Sequence, residues 1–227
     1  MAKLTLEKVT YRYRNSVTPA VNQISCSFET GKLYTIIGPS GSGKSTLLSM
    51  LSGLDHPCEG DVFISQINLK EMNLKEINLD RYRRQTVSMI FQSFQLLPLF
   101  TVIENVCYPM ELGGMHPRDA KPRAEQLLLS VGITPEKVKR FPSNLSGGEQ
   151  QRVAIARSLA SGAKILLADE PTGNLDVANT ENIMALLTKL AHVDGYCVIV
   201  VTHDLDVAKA ADVRYKMKDG ILSIESE

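Results

Sequence analysis

Residues 38–46 read Gly-Pro-Ser-Gly-Ser-Gly-Lys-Ser-Thr, and no other stretch narrows the possible folds as much. They follow Leu33-Tyr34-Thr35-Ile36-Ile37, a continuous β-rich run of the kind found in strands covered on both faces. They precede a helical pattern from Ser45 to Leu51. Strand, glycine-rich loop and helix together satisfy the phosphate-loop pattern Gly-x4-Gly-Lys-Ser/Thr. Each residue type has a physical reason to be there. Gly38, Gly41 and Gly43, with Pro39, Ser40 and Ser42 between them, let the backbone fold tightly enough to aim successive N–H groups at phosphate oxygens. The positive end of the following helix adds to that field. Lys44 reaches the β- and γ-phosphates as a point charge, and Ser45, beside Thr46, offers a hydroxyl to Mg2+.

Such a loop needs an acidic partner at the end of another buried strand. Ile165-Leu166-Leu167-Ala168-Asp169-Glu170 supplies it. Asp169 is placed to hold Mg2+ through water, and Glu170 to polarise an attacking water. The two motifs imply a nucleoside triphosphatase.

Around them the pattern is α/β. Leu4, Leu6 and Val9, then Ile24, Cys26 and Phe28, alternate roughly as in a half-buried antiparallel layer. A further strand covers Val87–Phe91, after which residues 93–161 read mostly helical. There Ala124, Leu127, Leu128 and Val131 recur at helical spacing before Gly132, and a second helix starts at Ser146. The last third alternates: strand Ile165–Ala168, helix Val177–Leu190, strand Cys197–Val201, a helix from Leu205, and two short strands around Asp219-Gly220. This order predicts a mostly parallel sheet flanked by helices, with a helical insertion in the middle.

Composition closes other routes. Twenty-five basic residues balance 25 acidic ones, which leaves no electrostatic footprint for nucleic acid or for direct insertion into a lipid surface. Cys26, Cys58, Cys107 and Cys197 are scattered and are expected to be small buried hydrophobes. Residues 1–7 lack the apolar core of a signal peptide, and no apolar run approaches the ~20 residues of a membrane span.

Leu145-Ser146-Gly147-Gly148-Glu149-Gln150 resembles the LSGGQ signature of the ABC (ATP-binding cassette) ATPases. The other family motifs follow in order: Tyr13, the phosphate loop, Gln92, the signature, Asp169-Glu170, Leu175-Asp176 and His203. The resemblance spans essentially the whole chain. It implies a P-loop NTPase with a RecA-like core and β layer over residues 1–92 and 162–227. A helical signature subdomain fills 93–161, the whole forming one ATPase domain. It implies ATP and Mg2+ as ligands, Tyr13 stacked on adenine in preference to Tyr11, Gln92 as a Mg2+ sensor, and His203 as a γ-phosphate switch. Lys44, Glu170 and His203 are then the catalytic set, and Ser45, Gln92 and Asp169 the metal set. Ser146 is a natural N-cap, and glycines at 147 and 148 would let a phosphate approach the helix end closely. In the family that phosphate belongs to ATP on a second copy, so a head-to-tail homodimer with two shared sites is implied.

The tract from Leu167 to Asp176 is similar to the subgroup of macrolide exporters, lipoprotein-release ATPases, antimicrobial-peptide resistance transporters and FtsE cell-division proteins. Ser88 and Ser158 are mild departures from it. The resemblance implies an efflux or extrusion role, peripheral at the cytoplasmic face of the membrane, through separate permease subunits that dock near Gln92–Thr101. The alternative is an FtsE-like regulatory ATPase without cargo. His56, His116 and His192 match no motif and are expected to be solvated. Arg81, Arg83 and Arg84 are expected to form an exposed face.

Overall fold

The computed structural model describes residues 2–14, 16–65 and 72–225. Strands β1 (Lys3–Tyr11), β2 (Val21–Glu29), β4 (Glu59–Ser65) and β5 (Met72–Asn73) form an antiparallel layer in the order β2-β1-β4-β5. Leu4 pairs with Phe28 and Leu6 with Cys26, after which the register slips. At the slip Lys8 takes φ 48°, and its N–H leaves the ladder to donate to Ser25 Oγ at 2.9 Å. A bulge adds one residue, so Val9 rather than residue 8 returns to the buried face. That is why the apolar positions read 4, 6, 9.

The second sheet has the order β10-β9-β3-β8-β7-β6, from β3 (Lys32–Ile37), β6 (Val87–Phe91), β7 (Ile165–Asp169), β8 (Cys197–Thr202), β9 (Val213–Lys218) and β10 (Ile221–Ile224). It is parallel from β9 to β6, and β10 returns as a hairpin. Its side chains divide between two cores. Ile165, Leu167, Cys197, Ile199 and Val201 pack with the antiparallel layer and α1 (Lys44–Leu51). Leu166, Ala168, Val198 and Val200 pack with α5 (Gly147–Ala160) and α6 (Val177–His192). Covered on both faces, β7 and β8 need apolar residues in unbroken succession.

Helices α2 (Leu79–Gln85), α3 (Val102–Leu112), α4 (Pro117–Ser130) and α7 (Leu205–Ala208) complete the chain. On α3, Asn105 is wholly buried and clasps the loop before its own helix. Its Oδ1 accepts the Leu97 N–H at 2.8 Å, and Nδ2 lies 3.0–3.1 Å from the carbonyls of Leu97, Phe100 and Thr101. Removing a buried partner leaves those groups without water or protein to bond. Asn105→Ala should therefore cost about 3 kcal/mol and lower the thermal midpoint by about 6–12 °C. An unchanged midpoint in a melting curve would show the clasp to be dispensable.

Two expectations need correction, for the cysteines and for Arg83. Cys107 and Cys197 are buried, with thiols pushed by burial up to about 11 and about 12, but Cys26 is half-buried and Cys58 is exposed in the turn before β4. His116 is exposed as expected, and its Nδ1 caps α4 by accepting the Arg118 N–H. His192 is likewise exposed as expected, and it pairs with Asp212 at 2.9 Å, tying α6 to the start of β9. Arg83 turns inward, donating to the Gly53 carbonyl at 2.6 Å, while Arg81 and Arg84 are exposed as expected. Among the described residues no helix is long and apolar enough to cross a membrane.

Candidate active site

The phosphate loop leaves β3 and enters α1 under tight steric control. A Cβ on Gly43 would stand 2.0 Å from the Ala20 carbonyl oxygen, and one on Gly38 would stand 2.2 Å from that of Met217. The β9–β10 turn supports the loop from beneath, with the Gly220 N–H donating to the Ser42 carbonyl at 3.1 Å. Ser42 itself is buried. Lys44 Nζ donates to the carbonyls of Gly38 and Pro39 at 2.7 and 2.9 Å, and an ammonium has a third proton for a phosphate. Lys44 is only 8% exposed, and no acid occupies the first turn of α1. Two positive elements, the ammonium and the helix end, thus share a place that an anion would neutralise.

β7 delivers the acids. Asp169 Oδ1 lies 3.4 Å from the donating Ser45 hydroxyl, and burial raises its carboxyl above the usual value. These are two hard oxygen donors side by side. They fit Mg2+, which takes one or two protein oxygens and fills its other positions with phosphate and water. Among the described residues no cluster of three or more His, Cys, Asp or Glu could hold a metal.

One residue on, Glu170 takes φ 49°, a left-handed conformation that costs a non-glycine residue about 1–3 kcal/mol. Its N–H donates to the Val201 carbonyl at 2.9 Å, which fixes the kink to β8. Its carboxylate meets His203, just past the end of β8, with Nδ1 2.8 Å from Oε1. Strand ends on neighbouring strands thus bring two groups 33 positions apart into contact.

A cleft of about 650 Å3 gathers Lys44, Ser45, Thr46, Asp169, Glu170 and His203, with Ser40, Gly41 and Gly43 on its loop side. Tyr13 stands at the rim, its hydroxyl 2.9 Å from Thr46 Oγ1 and half its surface exposed. Tyr11 braces it edge-on, ring centroids 5.1 Å apart. A larger cleft of about 960 Å3 adjoins, between α6 and α7, sharing Glu170 and His203 but none of the phosphate loop. The phosphate loop and the Lys44 ammonium, which suit a triphosphate, line the smaller one.

Several expected site residues lie outside it. Gly38, Pro39 and Ser42 serve from beneath, as described. Gln92 rests on Gly173, where an added Cβ would come within 2.8 Å of Nε2, and its carbonyl accepts from Asn174 Nδ2. Ser146, Gly147 and Gly148 line no part of the phosphate cleft. Ser146 caps α5 as expected. Gly148 has a reason inside the chain: a Cβ there would stand 2.2 Å from Asn179 Oδ1 of α6. Gly147 has ordinary clearance from Phe94 and Leu175. Unforeseen was Arg157, whose guanidinium donates to the carbonyls of Phe94 and Gln95, both at positive φ. An arginine directly after the apolar run Val153–Ala156 was the available signal.

The model of the ABC transporter family matches residues 21–173. The uncharacterized ABC transporter ATP-binding protein YclH of Bacillus subtilis is 38% identical over 225 residues, 99% of this chain and 97% of that protein. The uncharacterized ABC transporter ATP-binding protein MJ0796 of Methanocaldococcus jannaschii is 40% identical over 230 residues, 100% of this chain and 97% of that protein. The fold superimposes on a dimeric, post-hydrolysis structure of the MJ0796 cassette bound to ADP and Pi, with TM-score 0.85, 37% identity and 99% of each chain covered. It also matches cbiO1 from Clostridium perfringens, part of the cbiONQ ABC transporter complex, with TM-score 0.85 and 27% identity over 97% of this chain and 86% of that one.

Proposed function

Because the chain belongs to the ABC transporter family, we propose that it powers extrusion through separate membrane permease subunits, working as a homodimer that closes on ATP. It is an ATP-binding subunit and an ATPase. The observation that carries the finer reading is a division of labour. Lys44, Ser45, Asp169, Glu170 and His203 meet in one cleft, while the anion-attracting end of α5 lies elsewhere on the chain. A complete site then needs α5 from a second copy.

The roles follow from chemistry. Backbone N–H groups of residues 40–46 and the Lys44 ammonium hold the phosphates. Ser45 and Asp169 would hold Mg2+, which would supply charge neutralisation at the phosphates; Gln92, packed on Gly173 outside the cleft, would reach the ion only by leaving that contact. Glu170 orients and polarises the attacking water, and His203 braces Glu170 and meets the γ-phosphate. Tyr13 offers its ring to adenine. The similarity of Leu167–Asp176 to exporter and lipoprotein-release ATPases supports extrusion over import. The permease docks on Gln92–Thr101, where Leu99 is 87% exposed at the tip of the loop that Asn105 clasps. Through that contact the chain resides at the cytoplasmic face of the membrane.

His203→Ala should lower kcat for ATP at least about tenfold and leave KM within about threefold, since the phosphate loop is untouched. Equal kcat in a steady-state phosphate assay would remove His203 from the mechanism. A photo-crosslinker at Leu99 should label a membrane subunit; labelling of soluble proteins alone would refute the docking surface.

A further inference from the structure

The N-terminus of α5 carries a carboxylate of its own. Glu149 Oε2 accepts the Ser146 N–H at 2.9 Å, while Ser146 Oγ accepts the Glu149 N–H at 3.3 Å. This reciprocal cap orients the first turn, where the amides of Gly147 and Gly148 have no carbonyl one turn back to bond. The carboxylate also has a cost. A helix end is worth about half a positive charge, so one full negative charge at the third helical residue would more than cancel its attraction for phosphate.

Lys137 stands against that cost. It ends the short turn Pro135–Lys137, and its Nζ contacts Glu149 Oε1, the oxygen that the Ser146 amide does not use. The side chains are only 29% and 15% exposed, so solvent and salt screen the pair less than they would at an open surface. Lys137 first, and then the Ser146 N–H, hold the Glu149 carboxyl below the usual carboxylate range. The same two contacts favour the ionised carboxylate, which keeps Lys137 as its counter-ion.

We infer that Lys137 is a positioning residue of the ATPase cycle: its ammonium cancels the Glu149 carboxylate, so the cap can orient the Gly147 and Gly148 amides without repelling an incoming γ-phosphate. This rests on the reading of the α5 end as a phosphate site completed by a second copy. An ion pair that merely pins the 135–137 turn to α5 is the plainer alternative, and the two differ in what a second substitution does.

The test uses the purified full chain. ATP-induced dimer formation is measured on a Glu170→Gln background, and kcat and KM on the otherwise native chain. Lys137→Met should weaken both dimer formation and kcat by roughly tenfold, with KM within about twofold. Added salt should narrow the deficit only in part, because a carboxylate 15% exposed is weakly screened. Lys137→Arg should retain the native behaviour. The decisive variant is Lys137→Met with Glu149→Gln, which should recover to within about twofold of Glu149→Gln alone. A pair that only pins the turn predicts no such rescue, because the second substitution leaves the turn just as unpinned. Ser146→Arg separates the two layers of the argument. If it leaves dimer formation and kcat intact, the phosphate-site reading itself fails. If it abolishes them while Lys137→Met is silent, or is not rescued by Glu149→Gln, the role of Lys137 alone is overturned.

Discussion

Glu170→Gln should bind ATP within about twofold of the native chain yet turn it over at least about a hundredfold more slowly. The reason lies in how little the substitution disturbs. The amide keeps the shape of the carboxylate, tolerates φ 49° at the same cost, and can still hydrogen-bond His203 Nδ1. What it loses is the basicity needed to draw a proton from water. With opening tied to hydrolysis, ATP-bound dimers should accumulate and run as a larger species on size exclusion. Near-normal steady-state phosphate release from this variant would sink the assignment of Glu170.

The second large effect is steric. Gly43→Ala places a methyl group 2.0 Å from the Ala20 carbonyl oxygen, at a position whose φ of 105° disfavours any L side chain. Neither strain can be relieved without moving the loop or the entry to β2. We expect a loss of at least about 3 kcal/mol in stability and about a hundredfold in ATP affinity. Gly41→Ala is the internal control. Its φ is 78°, but a Cβ there meets nothing within 4 Å, so only the conformational cost of about 1–2 kcal/mol applies. Equal losses at 41 and 43, by calorimetry and nucleotide titration, would show that packing against Ala20 is not what confines the loop.

The contrast between those glycines marks where the sequence stops being readable. That residues 38–46 cradle phosphate follows from residue types and spacing; which glycine is confined depends on Ala20 and Met217, whose approach is purely tertiary. Likewise β3, β7 and β8 are legible as unbroken apolar runs, because both faces of the sheet are covered. β4 is not, since only Val62 and Ile64 of its seven residues are buried and Gly60 and Asp61 precede them. α3 hides behind Pro109 inside it, and α2 buries only Tyr82. Asp169, Glu170 and His203 could be placed at strand ends, but their convergence with Ser45 required the strand order. Asn105 is harder still. A lone amide among apolar neighbours has no periodicity, and its meaning lies in four backbone groups folded around it.

The separation of the α5 end from the phosphate cleft has a kinetic corollary. If the proposed homodimer shares its sites between two chains, activity obeys mass action, and specific activity should fall as the free chain is diluted. A membrane partner that holds two copies side by side replaces bulk concentration with a fixed local one. The permease would then act as the gear that engages the motor as well as its load, and a cassette adrift from it would idle and spare the cell's ATP.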